Sequence, residues 1–141
     1  ISSEMTHMRP SLLPGLLRAA ARNQARGFAD LALFEIGPAF HGGEPGEQKL
    51  VATGLLVGAS AARDPHGSRR GVDVFDAKAD VDAVLAALGA PQRVQVGRSL
   101  PAWWHPGRSG AMTLGKTVMA EFGEVHPKVL RAMDVKGPAV A

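Results

Sequence analysis

The residues Leu31-Ala32-Leu33-Phe34-Glu35-Ile36-Gly37-Pro38-Ala39-Phe40 are apolar at nearly every position. Their Gly and Pro residues and large side chains predict a β-strand rather than a helix. His41-Gly42-Gly43-Glu44-Pro45-Gly46 then reads as a turn, and Lys49 to Ala59 as a second strand. Two apolar strands joined through so short a turn run antiparallel, since a parallel return needs a long crossover. Glu35 stands out, because a carboxylate in an apolar strand either faces solvent, the default expectation, or pairs with a base.

Upstream, Ser11 is placed to cap a helix from Leu12 to about Arg26, with Pro14 tolerated in the first turn and Gly27 as the stop. Leu13, Leu16, Leu17 and Ala20 form its apolar stripe. Arg18, Arg22 and Arg26 recur every four residues on another face, as a solvated row or as one turned to a partner or a phosphate. Downstream, Ser60 to Gly71 reads as a mobile loop. Asp73 or Asp76 opens a second helix whose stripe is Val81, Val84, Leu85 and Leu88, ended by Gly89-Ala90-Pro91. Gln92 to Gly97 predicts a strand, Gly110–Leu114 and Thr117–Gly123 a hairpin about Gly115-Lys116, and Pro127 the start of a short helix. The last residues, Pro138 to Ala141, begin an extended segment. Strands returning through turns with helices between them imply an α+β fold around a largely antiparallel sheet.

The chain has 141 residues, 45% of them apolar and 21% charged, which is the size of one domain, taken as residues 1–141. A chain of this size buries roughly 68–70% of its unfolded surface, enough for a core without disulfides or structural zinc. With no Cys, thiol catalysis, thiolate metal sites and iron–sulfur clusters are excluded. The longest nearly charge-free apolar run, Leu50 to Ala62, is too short and too rich in Gly and Ala to span a bilayer. With no signal peptide and no membrane span, a cytoplasmic location is expected. The lack of an opening Met and the unfinished extended end predict a piece of a longer chain. The formal charge of +3 is modest, and nucleic-acid binding requires basic groups gathered on one face. Arg outnumbers Lys eleven to five, a bias that suits carboxylate or phosphate recognition and also arises from a GC-rich genome.

Gly110-Ala111-Met112-Thr113-Leu114-Gly115-Lys116-Thr117 satisfies the phosphate-loop pattern G-x-x-x-x-G-K-[ST]. That chemistry needs an apolar strand before the loop and a helix starting at Lys-Thr. Here loop-like residues precede it and Gly123 and Pro127 follow too soon for a packed helix, so a nucleotide site is not expected. The five His residues, at positions 7, 41, 66, 105 and 126, lack metal-ligand spacing, and Ser109 with His105 has no G-x-S-x-G elbow. Trp103 and Trp104 beside Arg108 suit either core packing, which is favoured, or stacking on a base.

Three stretches together resemble the β subunit of bacterial phenylalanyl-tRNA synthetase. They are Met8-Arg9-Pro10-Ser11-Leu12-Leu13-Pro14-Gly15-Leu16-Leu17 with Asn23; Leu33-Phe34-Glu35-Ile36-Gly37 closing at Phe40; and Trp104-His105-Pro106-Gly107-Arg108-Ser109 with Phe122-Gly123-Glu124-Val125-His126-Pro127. The resemblance implies a class II aminoacyl-tRNA synthetase-like core module, catalytically silent in that family. Trp104, His105, Pro106, Gly107, Arg108, Glu124, His126 and Pro127 form its structural motif. A working class II site places one Arg on its motif 2 strand for the ATP α-phosphate and another in a Gly-rich segment for the γ-phosphate. The strand Leu33 to Phe40 carries Glu35 and no Arg, so the resemblance implies no catalytic, cofactor-binding or metal-binding residue in this piece. ATP and magnesium are expected to serve the complete enzyme only. The implied partners are the α subunit, in an α2β2 assembly, and tRNA(Phe) through the complete enzyme. Leu12, Leu16, Arg18, Arg22 and Arg26 are the expected contacts with the α subunit. The alternative expectation is a tRNA-binding module using Arg18, Arg22, Arg26, Trp103 and Trp104.

Overall fold

A computed structural model describes residues 7–61, 65–67, 69–91, 93–98 and 100–141. The elements are α1 (Leu13–Ala25), β1 (Leu31–Phe40), β2 (Gln48–Val57), α2 (Val74–Ala87), β3 (Gln95–Gly97), β4 (Trp104–Leu114), β5 (Thr117–Val125), α3 (Pro127–Ala132) and β6 (Ala139–Val140). The six strands form one sheet in the order β1-β2-β6-β5-β4-β3, and every neighbouring pair is antiparallel. The α+β architecture read from the sequence is therefore the observed one.

Each helix stop has a local cause. Gly27 (φ 94°) and Gly89 (φ 69°) take the left-handed conformation after α1 and α2, and Asp134 (φ 56°) does so after α3. In each case two amide groups beyond the helix donate back to its last carbonyls: Gly27 and Phe28 to Gln24 and Asn23, Gly89 and Ala90 to Ala86 and Leu85, Asp134 and Val135 to Arg131 and Leu130. These paired bonds satisfy acceptors the helix leaves open. At the other end of α1, the Ser11 hydroxyl accepts from the Leu13 amide at 3.2 Å.

Two apolar layers sandwich the sheet. On one face α1 and α3 bury Leu13, Leu16, Leu17 and Ala20 against Leu55, Val57, Trp104, Val125 and Ala139. On the other, α2 covers Met112, Phe122 and Val140. Each large side chain fully buried here, such as Leu17, Leu55 or Val57, stabilises the fold by about 1.5–3 kcal/mol relative to exposure. The contact stripe of α2 is narrower than the sequence periodicity predicts: Val74, Ala77, Val81 and Leu85 pack, while Val84 and Leu88 face solvent. The strand expected from Gln92 spans only Gln95–Gly97, with Gln92 outside the described residues.

One further expectation is revised. Residues Trp104 to Ser109, expected as loop, begin β4, because a bulge absorbs their Pro and Gly. Trp104 pairs with Val125 and Ser109 with Gly123, so residues 105–108 stand opposite Glu124 alone. The Ser109 hydroxyl donates to the His105 carbonyl at 2.7 Å, and the Gly107 amide to His105 Nδ1 at 3.2 Å, closing the bulge internally. The described ends of the loop 60–71 are zipped together by an Ala59–Gly71 bridge and by amide bonds from Ser60 to Arg70 and from Val72 to Gly58. The phosphate-loop pattern lies on the β4–β5 hairpin, with Gly115 (φ 62°) first in its two-residue turn and no helix after Lys116. Its residues Gly110 to Leu114 lie in a sheet ladder instead of curling around an anion.

Asp73 caps α2, accepting from the Phe75 amide at 2.8 Å, while Asp76 accepts from the Asp73 amide at 2.9 Å. Arg70 grips both Asp76 oxygens, at 2.7 and 2.6 Å, joining the loop to the helix start. The hydrogen bonds from Arg70, then the Asp73 backbone, hold the Asp76 carboxyl down to about 2. Its native value lies below the unfolded one, so its contribution is complete above about pH 4 and is lost as pH falls toward the native value. The stability advantage of the wild type over Asp76→Asn, measured by urea unfolding at pH 6, is accordingly expected to shrink between about pH 4 and pH 2. A Cβ on Gly123 would come within 2.7 Å of Ser109 Cα and 2.9 Å of the Arg108 carbonyl, both backbone atoms of the bulge. Gly123→Ala is expected to cost about 1–3 kcal/mol of unfolding free energy in the same assay.

Candidate functional site

The residues singled out from the sequence fall in three places. Arg18, Arg22 and Arg26 are all exposed, on α1 and at its C-terminal end, and the Arg22 Nε donates to the Arg18 carbonyl at 3.4 Å. Leu12 and Leu16, expected to face another subunit, are 0% and 6% exposed within this chain's own core. The leucines and the arginines lie on different faces of the helix, and the sheet takes the leucine side. Neither leucine has surface left for a partner.

The second place is the C-terminal half of β1. Arg9 lies across it, with Nη1 on Glu35 Oε1 at 2.5 Å, Nε on the Pro38 carbonyl at 3.3 Å, and its own carbonyl accepting from the Phe40 amide at 2.9 Å. Gly37 makes room for this, since a Cβ there would stand 2.7 Å from Arg9 Nη2. Glu35 thus takes the less expected of its two readings while remaining partly exposed. Arg9 is the partner that sequence reasoning missed; nothing in the local pattern links it to a carboxylate 26 residues away.

The third place joins the β4 bulge to α3. Trp104 is buried and its Nε1 donates to Glu121 Oε2 at 3.0 Å. It therefore cannot stack on a base, as the alternative reading required, whereas neighbouring Trp103 stays exposed in the turn before β4. Arg108 Nε meets Glu124 Oε2 at 2.7 Å, so the one residue opposite the bulge neutralises its cation. The His105 and His126 rings stack loosely, with centroids 6.5 Å apart, and His126 Nδ1 caps α3 by accepting from the Lys128 amide at 3.1 Å. Pro106 and Gly107 are exposed on the bulge, and Pro127 opens α3. Arg98, Leu100, Trp104, Pro106, Ser109 and His126 border a shallow cavity of about 310 Å³ here. These motif residues act on one another and build a strand-to-helix corner.

The face of β1 and β2 beneath α1 is filled with apolar side chains. Its carboxylate, Glu35, is matched by Arg9, so the cation there is already engaged. Among the described residues no three His, Cys, Asp or Glu side chains gather to hold a metal ion, and no helix is long and apolar enough to cross a membrane. The residues present do not fit magnesium or the phosphates of ATP.

A family description, the phenylalanyl tRNA synthetase beta chain CLM domain, matches residues 1–141. The phenylalanine–tRNA ligase beta subunits of Cereibacter sphaeroides, Ruegeria pomeroyi and Rhodospirillum rubrum are 77%, 69% and 57% identical over 141, 142 and 141 residues. These alignments cover 100%, 100% and 99% of this chain, which spans only 18% of each relative. Among solved structures, the pyrrolysyl tRNA synthetase PylSc of Desulfitobacterium hafniense superposes with a TM-score of 0.66 at 15% identity, over 94% of this chain and 45% of that one. At that identity the likeness concerns the fold, which is that of a synthetase core. Sequence match along the whole chain and a synthetase-like sheet agree, and the chain belongs to the phenylalanyl-tRNA synthetase β chain CLM domain family.

Proposed function

We propose that this module is the non-catalytic, synthetase-like core of a phenylalanine–tRNA ligase β subunit, working in the cytoplasm. It pairs with the α subunit in an α2β2 enzyme that uses ATP and magnesium to charge tRNA(Phe) with phenylalanine. The observation that carries the non-catalytic part is the filled α1 side of β1 and β2, where among the described residues the only ionised pair is Glu35 with Arg9. Adenylate chemistry requires cationic groups free to meet developing phosphate charge. A guanidinium already held by a carboxylate at 2.5 Å does not supply them.

Arg18, Arg22 and Arg26 remain exposed and are assigned to acidic groups of the assembled enzyme, either α-subunit carboxylates or tRNA phosphates.

Two measurements test this reading. The complete β subunit without α is expected to show no phenylalanine-dependent ATP–pyrophosphate exchange, with activity restored on adding α. Exchange by β alone overturns the non-catalytic assignment, and no activity gain from β when α is present overturns the pairing. Charge reversal of all three arginines in the assembled enzyme is expected to lower kcat/KM for tRNA charging about tenfold, with the loss reduced at high salt. Unchanged charging removes the row from function.

A further inference from the structure

The helices on the two faces of the sheet carry opposite charge. α2 and its cap, residues 73–88, hold Asp73, Asp76, Asp80 and Asp82 against Lys78 alone. On the other face α1 and its caps, residues 12–26, hold Arg18, Arg22 and Arg26 and no carboxylate. The segment from α3 toward β6, residues 127–137, adds Lys128, Arg131 and Lys136 against Asp134 alone. All six of these cations are exposed. Among the described residues none of the six has a carboxylate within ion-pair distance, whereas Arg9, Arg69, Arg70, Lys78 and Arg108 each have one. This face therefore keeps a single uncompensated sign.

Helix geometry turns the six outward together. At 3.6 residues per turn, Arg18, Arg22 and Arg26 fall opposite the buried stripe of Leu13, Leu16, Leu17 and Ala20, about 6 Å apart along the axis. Lys128 and Arg131, three residues apart, share the side of α3 away from Val129, Leu130 and Met133, which pack into the same core as α1. Gln24, between Arg22 and Arg26, fastens the two elements, because its side chain donates to the Lys136 carbonyl at 2.7 Å and accepts from the Lys136 amide at 2.9 Å. Lys136 is thereby held beside the C-terminal end of α1, and the two cationic rows belong to one surface.

We propose that the outward surface of α1 and α3 is a phosphodiester-binding face, on which Arg18, Arg22, Arg26, Lys128, Arg131 and Lys136 meet the backbone of tRNA. This rests on the reading of the chain as part of a tRNA ligase; it selects phosphates over protein carboxylates for the arginine row and extends that row onto α3. Apolar content favours the selection. A protein interface has an apolar centre in which Lys is depleted. Among the described residues, none of the large apolar side chains left exposed lies on α1 or α3. Nucleic-acid interfaces are by contrast polar and strongly positive, and unpaired cations gathered on one face are their electrostatic footprint, since each neutralised phosphate releases counterions. Residues 12–26 and 127–137 contain no aromatic side chain to stack on a base. The face accordingly positions tRNA through its backbone and does not read its sequence.

The test uses the complete β subunit assembled with α, and tRNA(Phe) as the probe. Arg18→Gln with Arg22→Gln and Arg26→Gln, and separately Lys128→Gln with Arg131→Gln and Lys136→Gln, are each expected to weaken tRNA binding at least about tenfold and to reduce the slope of log affinity against log salt by about two to three. Lys78→Gln, on the opposite face, is expected to leave the affinity within about twofold. In the unmodified enzyme, saturating tRNA is expected to slow acetylation of Lys128 and Lys136 at least about fivefold, a readout that needs no variant to fold. Unchanged affinity and slope in either folded triple variant, or unprotected lysines, overturns the proposal. Lysines already unreactive before tRNA is added assign the face to a protein neighbour, in α or elsewhere in β, and overturn it as well, as does loss of subunit association in either triple variant. An unmodified assembly that binds no tRNA(Phe) refutes the underlying ligase reading, which a loss confined to the triple variants does not.

Discussion

The structure depends on two residues at the end of the described chain. Ala139 and Val140 form β6, inserted between β2 and β5, which do not pair with each other directly. Without that insertion the sheet would be two separate pieces, the β1–β2 hairpin and the β5–β4–β3 meander. The joint is made by backbone: the Gly58 amide donates to the Pro138 carbonyl at 3.0 Å, and Gly123 and Ala141 exchange bonds at 2.9 and 3.0 Å. Successive strand side chains point to opposite faces, so Ala139 enters the core under α1 and Val140 the core under α2. One dipeptide thereby closes both hydrophobic layers. Its approach is held by Gln24, whose side-chain amide donates to the Lys136 carbonyl at 2.7 Å and accepts from the Lys136 amide at 2.9 Å.

With the sheet closed in this way, α1 seals one side of β1 and β2 and the other side stays open. The sealed side holds Leu31, Leu33, Leu55 and Val57 beneath the leucines of α1, with one neutralised ion pair, Arg9 with Glu35. The open side contains Phe34, Ile36 and Leu50. The fold is shared with an aminoacyl-tRNA synthetase, but function follows from the groups placed on a fold and not from the fold itself. The conspicuous His-Pro-Gly-Arg-Ser and Phe-Gly-Glu-Val-His-Pro stretches serve that same architecture. Arg108 answers Glu124, His126 caps α3, and Gly123 lets the bulged strand pass close by.

Much of this was legible from the residues. The bounds of β1, the place of the β4–β5 turn, the stop at Gly27 and a helix opened by Asp73 or Asp76 all follow from local chemistry, and local chemistry is what a sequence displays. The P-loop pattern carries no phosphate loop for the same reason, since a strand and not a helix follows Lys116. The readings that changed share another property. Whether Leu16 faces a partner, whether Glu35 meets water or a base, and whether Pro106 and Gly107 end a strand are settled by residues distant in the chain. The repeat of Val84 and Leu88 shows it as well: periodicity marks an apolar helix face, but the width that gets buried is set by the sheet beneath it.

The sequence by itself determined the helices, the strands β1 and β2, the β4–β5 turn, the antiparallel class of the sheet and the family, because backbone preferences, hydrophobic period and motif residues act within a few positions of one another. Only the tertiary structure decided that the dipeptide Ala139-Val140 holds the centre of the sheet, that Arg9 neutralises Glu35, and which side of the β1–β2 hairpin is left uncovered. Those outcomes depend on the joining of segments far apart in the chain, and burial is a property of the assembled surface that no single segment carries.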